Sequence, residues 1–469
     1  MRRFARAGAS VSNPAVTTIF AADPAAHVFD GRLFAYVSYD QPFTNTHDSM
    51  VSYHCVSTDD MVNWVDHGQI LSLEHVPWAL SHMWAIDCNF WRGSYYLVFC
   101  AFDRETSTFK TGLAVSQRPE GPFEDLGIIQ GVEWGQDPSL FIDEVDGRLT
   151  PYLVWGGRGS ITMAELNEDL RSVKPETVTD LSGSLEGYEG PFLHKRGDTY
   201  YLTYPALDGE KWPQRMCYAT SRNPLGPYES KGVFIPEYEG NSGTIHGSVV
   251  EFKGQWYAFY HSAWVSGIST SRSMMVDRLE YTAAGEIRPI NPSKQGAVDA
   301  NTRTVTILDA AAGASAGSKL HGARVSTEFE GSTGHGCVTG LLGQETGVSV
   351  WFDFGGHAAD AKQLHRVSVR YRNAGPDFNG RVLFGNHLFY DGNQNQSYEQ
   401  YINRGTVFAS TDGQWRELEI GELEVSPGGY RIRLSASHNL DPHSLAAATD
   451  GIQIDYFKIE PIDQVEPTS

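Results

Sequence analysis

The chain has 469 residues, 41% of them hydrophobic, which is enough to bury the cores of two domains. Its 57 acidic residues outnumber the 36 basic ones, and the formal net charge of -21 repels phosphate backbones and anionic membrane surfaces. No apolar run approaches the roughly 20 residues needed to cross a bilayer. The composition therefore argues against nucleic acid and against a membrane as partners.

The N-terminal sequence MRRFARAGASVSNP has arginines but no apolar segment behind them, so it does not resemble a secretory signal. We expect a cytoplasmic protein as the sequence stands, or a secreted one if a leader was removed. The cysteines are odd in number, scattered and without CxxC spacing, which argues against a disulfide framework and against a zinc site. We predict buried thiols at Cys55, Cys88, Cys100, Cys217 and Cys337.

A short turn that contains glycine, followed by an aromatic or apolar strand, recurs five times. In chain order the copies are FDGRLFAYVSY, WRGSYYLVF, VDGRLTPYLVW, KRGDTYYLTY and FKGQWYAFY. Their turn glycines are Gly31, Gly93, Gly147, Gly197 and Gly254, at intervals of 50 to 62 residues, each enough for one four-stranded sheet. Glycine supplies the positive φ of tight hairpin turns. The pattern predicts a five-bladed β-propeller over residues 14–297.

A second repeat keeps the same register. AVSQRPEGPFE at residues 114–124 matches ATSRNPLGPYE at 219–229, an offset of 105 residues, and the corresponding turn glycines are 104 residues apart. Both offsets equal two blades. The related CVSTDDMVNWVDHG at 55–68 occupies the equivalent place in the first blade.

Each predicted blade has one ionisable side chain ahead of its turn glycine. These are Asp23, Asp87, Asp137, Glu189 and His246, which precede their glycines by 6 to 10 residues. The innermost strands of a propeller line its central channel, so matching positions should converge on the axis. Carboxyl groups that lie this near to one another disfavour each other's ionisation. The pKa of at least one of them should therefore rise, as a general acid requires. Acids before strands are often only turn formers, but four acids and a histidine at matching positions favour a shared pocket.

The motifs also carry a family resemblance. In chain order they are FAADPAAHVFDGRLFAYVSYD, STDDMVNWVDHG, MWAIDCNFWRGSYYLVF, QDPSLFIDEVDGRL, YEGPFLHKRGDTYYLTY, HGSVVEFKGQWYAFYH and SRSMMVDRLEY. Together, over roughly residues 14 to 295, they resemble glycoside hydrolase family 43, five-bladed propellers that cleave arabinose and xylose linkages in plant polysaccharides. The resemblance implies an enzyme that inverts the anomeric centre, with about 6.5 to 9.5 Å between its acid and its base.

The resemblance implies a role for three carboxylates. Asp23, in ADP, matches the family's general base, which activates a water on the face of the sugar opposite the leaving group. Glu189, in EGP, matches the general acid that protonates the departing oxygen. Asp137, in QDPS, matches a third carboxylate that tunes the pKa of the acid and orients it. Glu186 competes for the acid role, and we prefer Glu189 because it directly precedes the Gly-Pro step and the strand.

Substrate-binding and metal positions follow from the same resemblance. Trp84 and Asp87, in WAID, match pocket positions, where a ring can cover the apolar face of a sugar and an acid can bind its hydroxyls; core packing is the alternative for Trp84. Arg272 matches an arginine that reaches the innermost sugar, with an ordinary surface arginine as the alternative.

His246 matches an axial histidine near a calcium or sodium ion, often through water. Imidazole is not the ligand that calcium prefers, so we expect no required cofactor and, at most, a structural calcium.

The first blade most resembles members that remove arabinofuranose from arabinoxylan, because ADP, a strand, STD-M-NW and a DHG turn follow in the same order. This implies an exo-acting α-L-arabinofuranosidase acting on a plant cell-wall polysaccharide or oligosaccharide, and a β-D-xylosidase is the alternative. Subsite shape depends on ring-bearing side chains that are equally suited to packing between blades. The candidates are Tyr39, Phe43, His47, Trp78, Trp134, Trp155, Trp212 and Trp264.

After PINPSKQGAVDANTR the turn repeat ends, and segments such as VSVWFDF, HRVSVRYR and IQIDYFKIE alternate with a period of two. This alternation predicts an antiparallel β-sandwich (jelly roll) over residues 303–462. FDFGG and the closing GIQIDYFKIEP are similar to carbohydrate-binding module family 6. The opening RTVTILDAA departs from the acidic first strand of those modules, so a domain that only packs on the propeller and shapes its pocket is the alternative.

Two other functions are compatible with an early Asp and a mid-chain Glu. The related fructoside-cleaving propellers retain configuration through a covalent intermediate, but they carry ECP where this chain has EGP. A non-catalytic carbohydrate-binding propeller is the alternative from another class. It predicts that replacing Asp23 or Glu189 leaves sugar binding intact.

Overall fold

The protein is described by a computed structural model. It covers residues 13–16, 19–41, 44, 46–145, 147–264, 266–293, 296–297, 306–310, 324–332, 337–339, 349–357, 363–375, 377–390, 396–425, 428–436 and 452–462. Regular structure in these residues is almost entirely β-strand. Three single-turn 3₁₀ helices lie at His47–Ser49, Leu73–His75 and Pro175–Thr177. Within the described ranges, no helix has the length and apolarity to span a membrane.

Five antiparallel sheets follow one another along the first part of the chain. The first contains β1 (Ala21–Phe29), β2 (Arg32–Tyr39), β3 (Ser52–Thr58) and β4 (Trp64–Ser72). The second contains β5 (Ala79–Ser81), β6 (Ile86–Trp91), β7 (Ser94–Asp103), β8 (Phe109–Ser116) and β9 (Glu124–Ile128). The third contains β10 (Ser139–Val145), β11 (Arg148–Gly157), β12 (Ser160–Glu165) and β13 (Thr179–Asp180). The fourth contains β14 (Phe192–Arg196), β15 (Thr199–Asp208), β16 (Lys211–Ser221) and β17 (Glu229–Ile235), and the fifth contains β18 (Ser248–Phe252), β19 (Gln255–Ser262) and β20 (Ser273–Leu279).

The five sheets form a closed ring. The strands β1, β6, β10, β14 and β18 each contact the next in this order, and β18 contacts β1 again. Apolar clusters fill the space between each pair of neighbouring sheets, including the pair formed by the last and the first. This is a propeller with five blades, and the all-β propeller prediction is confirmed.

The repeats of the sequence correspond to equivalent places in the blades. Each of the five turn glycines lies in the hairpin between the first two long strands of its blade, with φ between +57° and +93°. The repeats at 114–124 and 219–229 cover the steps from β8 to β9 and from β16 to β17, and residues 55–68 cover the step from β3 to β4. Backbone geometry that only glycine adopts readily therefore explains why the turn repeat was visible in the sequence.

The ring is closed by the segment that precedes the first blade. Ala15 donates its backbone N–H to the carbonyl of Met274 at 2.9 Å. The side chain of Asn13 donates from Nδ2 to the Val276 carbonyl at 3.1 Å and accepts from the Val276 N–H at 2.8 Å. Residues 13–16 thus lie along β20. The N-terminal end of the propeller sequence completes the three-stranded fifth blade, which is otherwise formed by its C-terminal end.

The C-terminal strands form two sheets. They are β21 (Thr306–Asp309), β22 (Arg324–Ser326), β23 (Cys337–Thr339), β24 (Ser349–His357), β25 (Gln363–Asn373), β26 (Phe378–Tyr390), β27 (Gln396–Phe408), β28 (Arg416–Val425), β29 (Gly428–Ala436) and β30 (Ile452–Pro461). One sheet has the order β24-β29-β26-β27, and the other is built around β30, which pairs with β21, β23 and β25. The similarity to a carbohydrate-binding module, and the boundaries 14–297 and 303–462, stay predictions.

One C-terminal strand is joined to the propeller. β21 pairs in parallel with β4, the outermost strand of the first blade, through Thr306 to Leu308 opposite Trp64 to Asp66. The two parts of the chain therefore share a continuous sheet, as expected for a domain that packs on the propeller. All five cysteines are buried and none forms a disulfide, which confirms the prediction of buried thiols.

Candidate active site

A pocket of about 290 Å³ lies where the first strands of the blades meet, and all five blades contribute to it. It is lined by Asp23, His47, Met50, Trp84, Phe109, Trp134, Gln136, Asp137, Arg158, Tyr188, Glu189, Trp212, Thr244, His246 and Arg272. Three carboxylates, two imidazoles and two guanidinium groups therefore share a single cavity with a wall of aromatic rings.

The backbone has the same conformation at or directly after each of the three pocket carboxylates. In ADP, QDP and EGP a residue in the left-handed region stands directly before proline: Asp23 at φ +51°, Asp137 at +46° and Gly190 at +56°. At Asp23 the pairing of β1 with β2 shifts register between Ala22 and Ala25, which is a β-bulge. Bulges and positive φ at non-glycine residues re-aim side chains and concentrate at functional sites.

Asp23 is held by a buried arginine. Nη1 of Arg272 lies 3.2 Å from Oδ1 of Asp23, while Nε and Nη2 donate to Asp40 at 2.8 and 2.9 Å. Burial by itself raises the pKa of Asp23, but the Arg272 guanidinium and the contacts with His261 and His246 together outweigh burial and hold that pKa well below the ordinary value for aspartate. Asp23 is therefore ionised across the neutral and mildly acidic range.

A buried histidine fixes the backbone at Asp23. Nδ1 of His261 accepts the Asp23 N–H at 3.1 Å, and Nε2 lies 3.1 Å from the carbonyl oxygen of Thr244. Burial, together with the nearby Arg272 charge, lowers the pKa of His261. A neutral ring that donates from Nε2 to Thr244 satisfies both contacts and keeps the strained residue in place.

Glu189 is held by two glutamine side chains. Nε2 of Gln214 donates to Oε1 of Glu189 at 2.7 Å, and Nε2 of Gln136 donates to Oε2 at 3.1 Å. Both amides are buried and their orientation is fixed, since Oε1 of Gln214 accepts the Ile245 N–H at 3.0 Å and Oε1 of Gln136 accepts the indole N–H of Trp134 at 3.3 Å. Because both glutamines donate, a proton on Glu189 finds no acceptor in either of them and is left for a substrate oxygen.

The pKa values of Glu189 and Asp137 are both raised. Burial raises the pKa of Glu189, the negative charge of Asp23 adds to the rise, and the hydrogen bond from Gln214 opposes it. The pKa of Asp137 is raised well above its ordinary value by burial and by the charges of Glu189 and Asp23. The two carboxyl groups titrate as a pair, because a charge on one disfavours a charge on the other. The pocket thus combines Asp23, whose pKa is lowered, with Glu189 and Asp137, whose pKa values are raised.

His246 lies between the carboxylates. Its Nδ1 is 3.8 Å from Oδ1 of Asp23 and 4.0 Å from Oδ2 of Asp137. Burial lowers the pKa of His246 to about 4, so the ring is neutral near pH 7. A Cβ on Gly190 would approach this ring to 3.0 Å, which, with the positive φ, explains the glycine of EGP.

Aromatic rings form one wall of the pocket. Trp84 and Phe109 have ring centroids 4.7 Å apart, and the indole N–H of Trp84 donates to the carbonyl of His47 at 3.1 Å. Phe109 also contacts Trp134 edge to face at 5.6 Å. A rigid aromatic face beside hydrogen-bonding groups is suited to a sugar, which has an apolar face and a polar edge.

The structure brings together six of the seven residues proposed from the sequence. Those lining the pocket are Asp23, Trp84, Asp137, Glu189, His246 and Arg272. Asp87 is placed differently and corrects the expectation of a substrate-binding residue. Its carboxylate accepts hydrogen bonds from Ser139 Oγ and the Leu140 N–H, both at 2.9 Å, and lies 2.6 Å from His27 Nε2. Asp87 precedes its turn glycine by two residues fewer than Asp23 does, so it lies deeper along the strand and links blades one, two and three.

The structure also distinguishes between the alternative candidates for the acid and for the ring-bearing subsite residues. Glu186 is exposed and does not line the pocket, whereas Glu189 does. Of the ring-bearing candidates, His47, Trp134 and Trp212 line the pocket. The other described candidates, Tyr39, Trp78, Trp155 and Trp264, do not line it. Phe43 lies outside the described residues.

Several residues that hold the pocket carboxylates in place were missed from the sequence. Asp40 and His261 follow or end the second long strands of their blades, and antiparallel pairing returns that end to the start of the first strand, as the bond from the Asp40 N–H to the Phe20 carbonyl shows. The pairing of the first two strands in each blade could therefore have indicated Asp40 and His261. Gln136 and Gln214 occur in WGQ and WPQ, a shared spacing that could have been noticed.

The donor set does not fit a metal bound directly by side chains. Within the described ranges, no group of three or more His, Cys, Asp and Glu residues is arranged to hold an ion. Asp23 and Asp40 are already paired with Arg272, and neutral imidazole is a poor calcium ligand. A structural calcium held near His246 through water stays a prediction.

Residues 11–287 match the family model described as Glycosyl hydrolases family 43. A xylosidase/arabinosidase of Bacteroides ovatus is 33% identical over 315 residues, which are 57% of this chain and 94% of that protein. A solved family 43 β-xylosidase/α-arabinofuranosidase from a compost microbial metagenome, a calcium-free complex with xylotriose, is 31% identical with a TM-score of 0.54 and covers 61% of this chain and 98% of its own. A Bacillus subtilis arabinoxylan arabinofuranohydrolase in complex with cellotetraose shares the fold over 96% of this chain and 98% of its own, with a TM-score of 0.59 and 21% identity.

Proposed function

The chain belongs to glycoside hydrolase family 43, and on that premise we propose that it is an inverting, exo-acting hydrolase that releases α-L-arabinofuranose from arabinoxylan or arabino-oligosaccharides. The observation that carries this proposal is the presence in one pocket of two carboxyl groups whose pKa values shift in opposite directions. The pKa of Asp23 is lowered by Arg272 and His261 against the effect of burial, and the pKa of Glu189 is raised by burial. Environments that push two pKa values apart assign the base and the acid.

In the proposed reaction Asp23 accepts a proton from a water on one face of the anomeric carbon. The water oxygen forms its bond to that carbon as the bond to the leaving oxygen breaks, and Glu189 gives its proton to the leaving oxygen. Asp23 ends protonated and Glu189 ionised, and proton exchange with solvent restores both. In this proposal Asp137 orients Glu189, and neutral His246 fills the space between Asp23 and Asp137 without adding a charge.

Two observations bear on which pentose the enzyme releases. The arabinoxylan-type order of motifs in the first blade supports an arabinofuranoside. The names of the similar proteins combine xylosidase and arabinosidase, which supports a β-D-xylosidase equally. A non-catalytic sugar-binding propeller is disfavoured by the matched acid and base, because a binding site has no need to raise the pKa of one carboxyl group beside another whose pKa is lowered.

A panel of 4-nitrophenyl furanosides and pyranosides, followed by branched arabinoxylan oligosaccharides, tests the proposal. We expect the α-L-arabinofuranoside to have the highest kcat/KM and the oligosaccharides to release free arabinose as the only monosaccharide. A higher kcat/KM on the β-D-xyloside, with xylose released, would instead assign the xylosidase activity. Absence of any pentose release, with sugar binding retained, would contradict an enzyme altogether.

A further inference from the structure

Asp40 is a buried carboxylate that takes no part in the proposed reaction. It directly follows β2 in the first blade, is 1% exposed, and donates its backbone N–H to the Phe20 carbonyl at 3.1 Å. Arg272 directly precedes β20 in the fifth blade and is 3% exposed. Because the ring closes between these two blades, the two side chains meet beside Asp23, although 232 residues separate them in the sequence.

Asp40 accepts three hydrogen bonds from Arg272. Its Oδ2 accepts from the backbone N–H and from Nε, both at 2.8 Å, and its Oδ1 accepts from Nη2 at 2.9 Å. The two side-chain bonds are the parallel pair that a planar guanidinium forms with a carboxylate. This pair uses Nε and Nη2 and leaves Nη1 outside it. The orientation of the Arg272 guanidinium is therefore set by Asp40.

The other N–H groups of Arg272 are directed at three further residues. Nη1 donates to Oδ1 of Asp23 at 3.2 Å and lies 3.5 Å from Oγ1 of Thr244, and Nη2 lies 3.3 Å from Sδ of Met50. Each N–H group of the guanidinium thus has an acceptor nearby. Arg272 contacts the carboxylate of Asp23 through one nitrogen and one oxygen.

The two oxygens of Asp23 have different surroundings. Oδ1 lies 3.2 Å from Nη1 of Arg272, 3.2 Å from Nδ1 of His261 and 3.8 Å from Nδ1 of His246. In the part of the chain that the structure describes, no hydrogen bond is made to Oδ2. A carboxylate oxygen that accepts no protein N–H keeps its lone pairs for the proton of a water molecule. Oδ2 is therefore the oxygen suited to act as the base.

We propose that Asp40 is a positioning residue, which holds Arg272 side-on and thereby prevents its guanidinium from pairing with both oxygens of Asp23. This inference rests on the proposed function for the role of Asp23 as the base. A buried guanidinium needs a carboxylate partner, and the pair with two parallel bonds is the strong arrangement. Without Asp40, Nη1 and Nη2 can both turn to Asp23, and Oδ2 is then no longer free for the water.

The crystal structure of an Asp40→Asn variant tests the geometry without any substrate. The amide offers one acceptor oxygen where the carboxylate offered two, and its NH₂ group faces the N–H donors of Arg272. We expect the guanidinium to turn, so that both oxygens of Asp23 lie about 3 Å from its nitrogens. A guanidinium that keeps its place and leaves Oδ2 of Asp23 free would overturn the proposal.

Turnover by the same variant tests the consequence for the reaction. We expect kcat to fall about 100-fold, the cost of misplacing a reacting group by an ångström, while KM stays within about threefold. The loss should be equal on an oligosaccharide and on the corresponding glycosyl fluoride, because both need the base. A loss confined to the oligosaccharide, or a raised KM with unchanged kcat, would overturn the role of Asp40 in positioning the base.

Asp143→Asn is the matched control. Asp143 is also buried, at 2% exposed, and its Oδ1 lies 2.7 Å from Nζ of Lys195, and like Asp40 it does not line the pocket. Its replacement should lower the thermal midpoint of unfolding, since it breaks a buried ion pair, and leave kcat within about twofold. An Asp40→Asn variant that lowers the thermal midpoint in this way and keeps its kcat would show a purely structural ion pair.

Arg272→Lys provides the test if Asp40→Asn does not fold. Lysine keeps the positive charge between the two carboxylates but lacks the planar fork that Asp40 orients. We expect the same equal loss of kcat on both substrates, and a kcat within about twofold of the wild type would overturn the proposal. Failure of the wild type to hydrolyse any pentoside would overturn the proposed function instead, and the crystal structure of Asp40→Asn would still decide whether Asp40 orients Arg272.

Discussion

Glu189→Ala should slow hydrolysis of arabinoxylan oligosaccharides by about 10² to 10⁴-fold while slowing hydrolysis of the corresponding glycosyl fluoride far less. The sugar alkoxide is a poor leaving group and needs the proton that Glu189 carries, whereas fluoride leaves without one. The measurement is kcat/KM on both substrates at a fixed pH. Equal loss on both would contradict the assignment of the acid.

The variant Glu186→Ala is the control for Glu189. Glu186 is three residues away but exposed and outside the pocket, so its loss should leave both rates near those of the wild type. A leaving-group effect in Glu186→Ala, and none in Glu189→Ala, would transfer the acid role.

The pH profile provides a second readout of the acid. Glu189 is active when protonated, and its pKa is raised above the ordinary glutamate value by burial, so kcat/KM should fall as the pH rises through that raised pKa. This alkaline limb should disappear in Glu189→Ala. In Gln214→Ala it should move to higher pH, because the hydrogen bond from Gln214 stabilises the ionised form. Asp23 is active when ionised, so its lowered pKa places the acidic limb below the ordinary aspartate range.

Asp23→Asn should abolish turnover of every substrate, with kcat/KM at the limit of about 10⁴-fold below the wild type or lower. An amide cannot accept the proton of the attacking water, and this need does not depend on the leaving group. The amide oxygen can still accept from Nη1 of Arg272, which also keeps its bonds to Asp40, so the fold should persist. Turnover of the oligosaccharide and of the fluoride is measured together with the thermal midpoint of unfolding.

Asp23→Ala adds a rescue experiment. The smaller side chain leaves room for azide, an anion that attacks without needing a base, and we expect added azide to restore release of fluoride and to give the glycosyl azide of inverted configuration. An Asp23→Asn variant that keeps the fluoride rate but loses the oligosaccharide rate would contradict the base role, since it would show the behaviour expected of a missing acid.

The propeller could be predicted because its repeats follow local backbone chemistry. Hairpin turns with positive φ select glycine, and the aromatic strand behind each turn packs between blades, so both features recur once per blade. The acids could be located from their register to those turns. The same argument failed at Asp87. This residue is two positions nearer to its turn glycine than Asp23 is to its own, and its carboxylate contacts Ser139 and His27 instead of lining the pocket.

The residues that set ionisation could not be predicted in the same way. Arg272 lines the pocket, and its role in binding the sugar stays a prediction; its contacts with Asp40 and Asp23, which are more than 200 residues away in the sequence, were not foreseen. Gln136 and Gln214 act on Glu189 from two blades through amides whose orientation depends on Trp134 and the Ile245 N–H. Such contacts depend on tertiary closure of the ring: the WGQ and WPQ spacing marks the two glutamines, but it does not specify which carboxylate they contact.

Proton NMR of the first product formed from an α-L-arabinofuranoside, recorded before mutarotation, reports directly on whether Asp23 and Glu189 act as base and acid on opposite faces of the sugar. If water attacks opposite the leaving group, the β-anomer of arabinofuranose accumulates first. The α-anomer as the first product would show retention through a covalent intermediate, and Asp23 would then be a nucleophile and not a base.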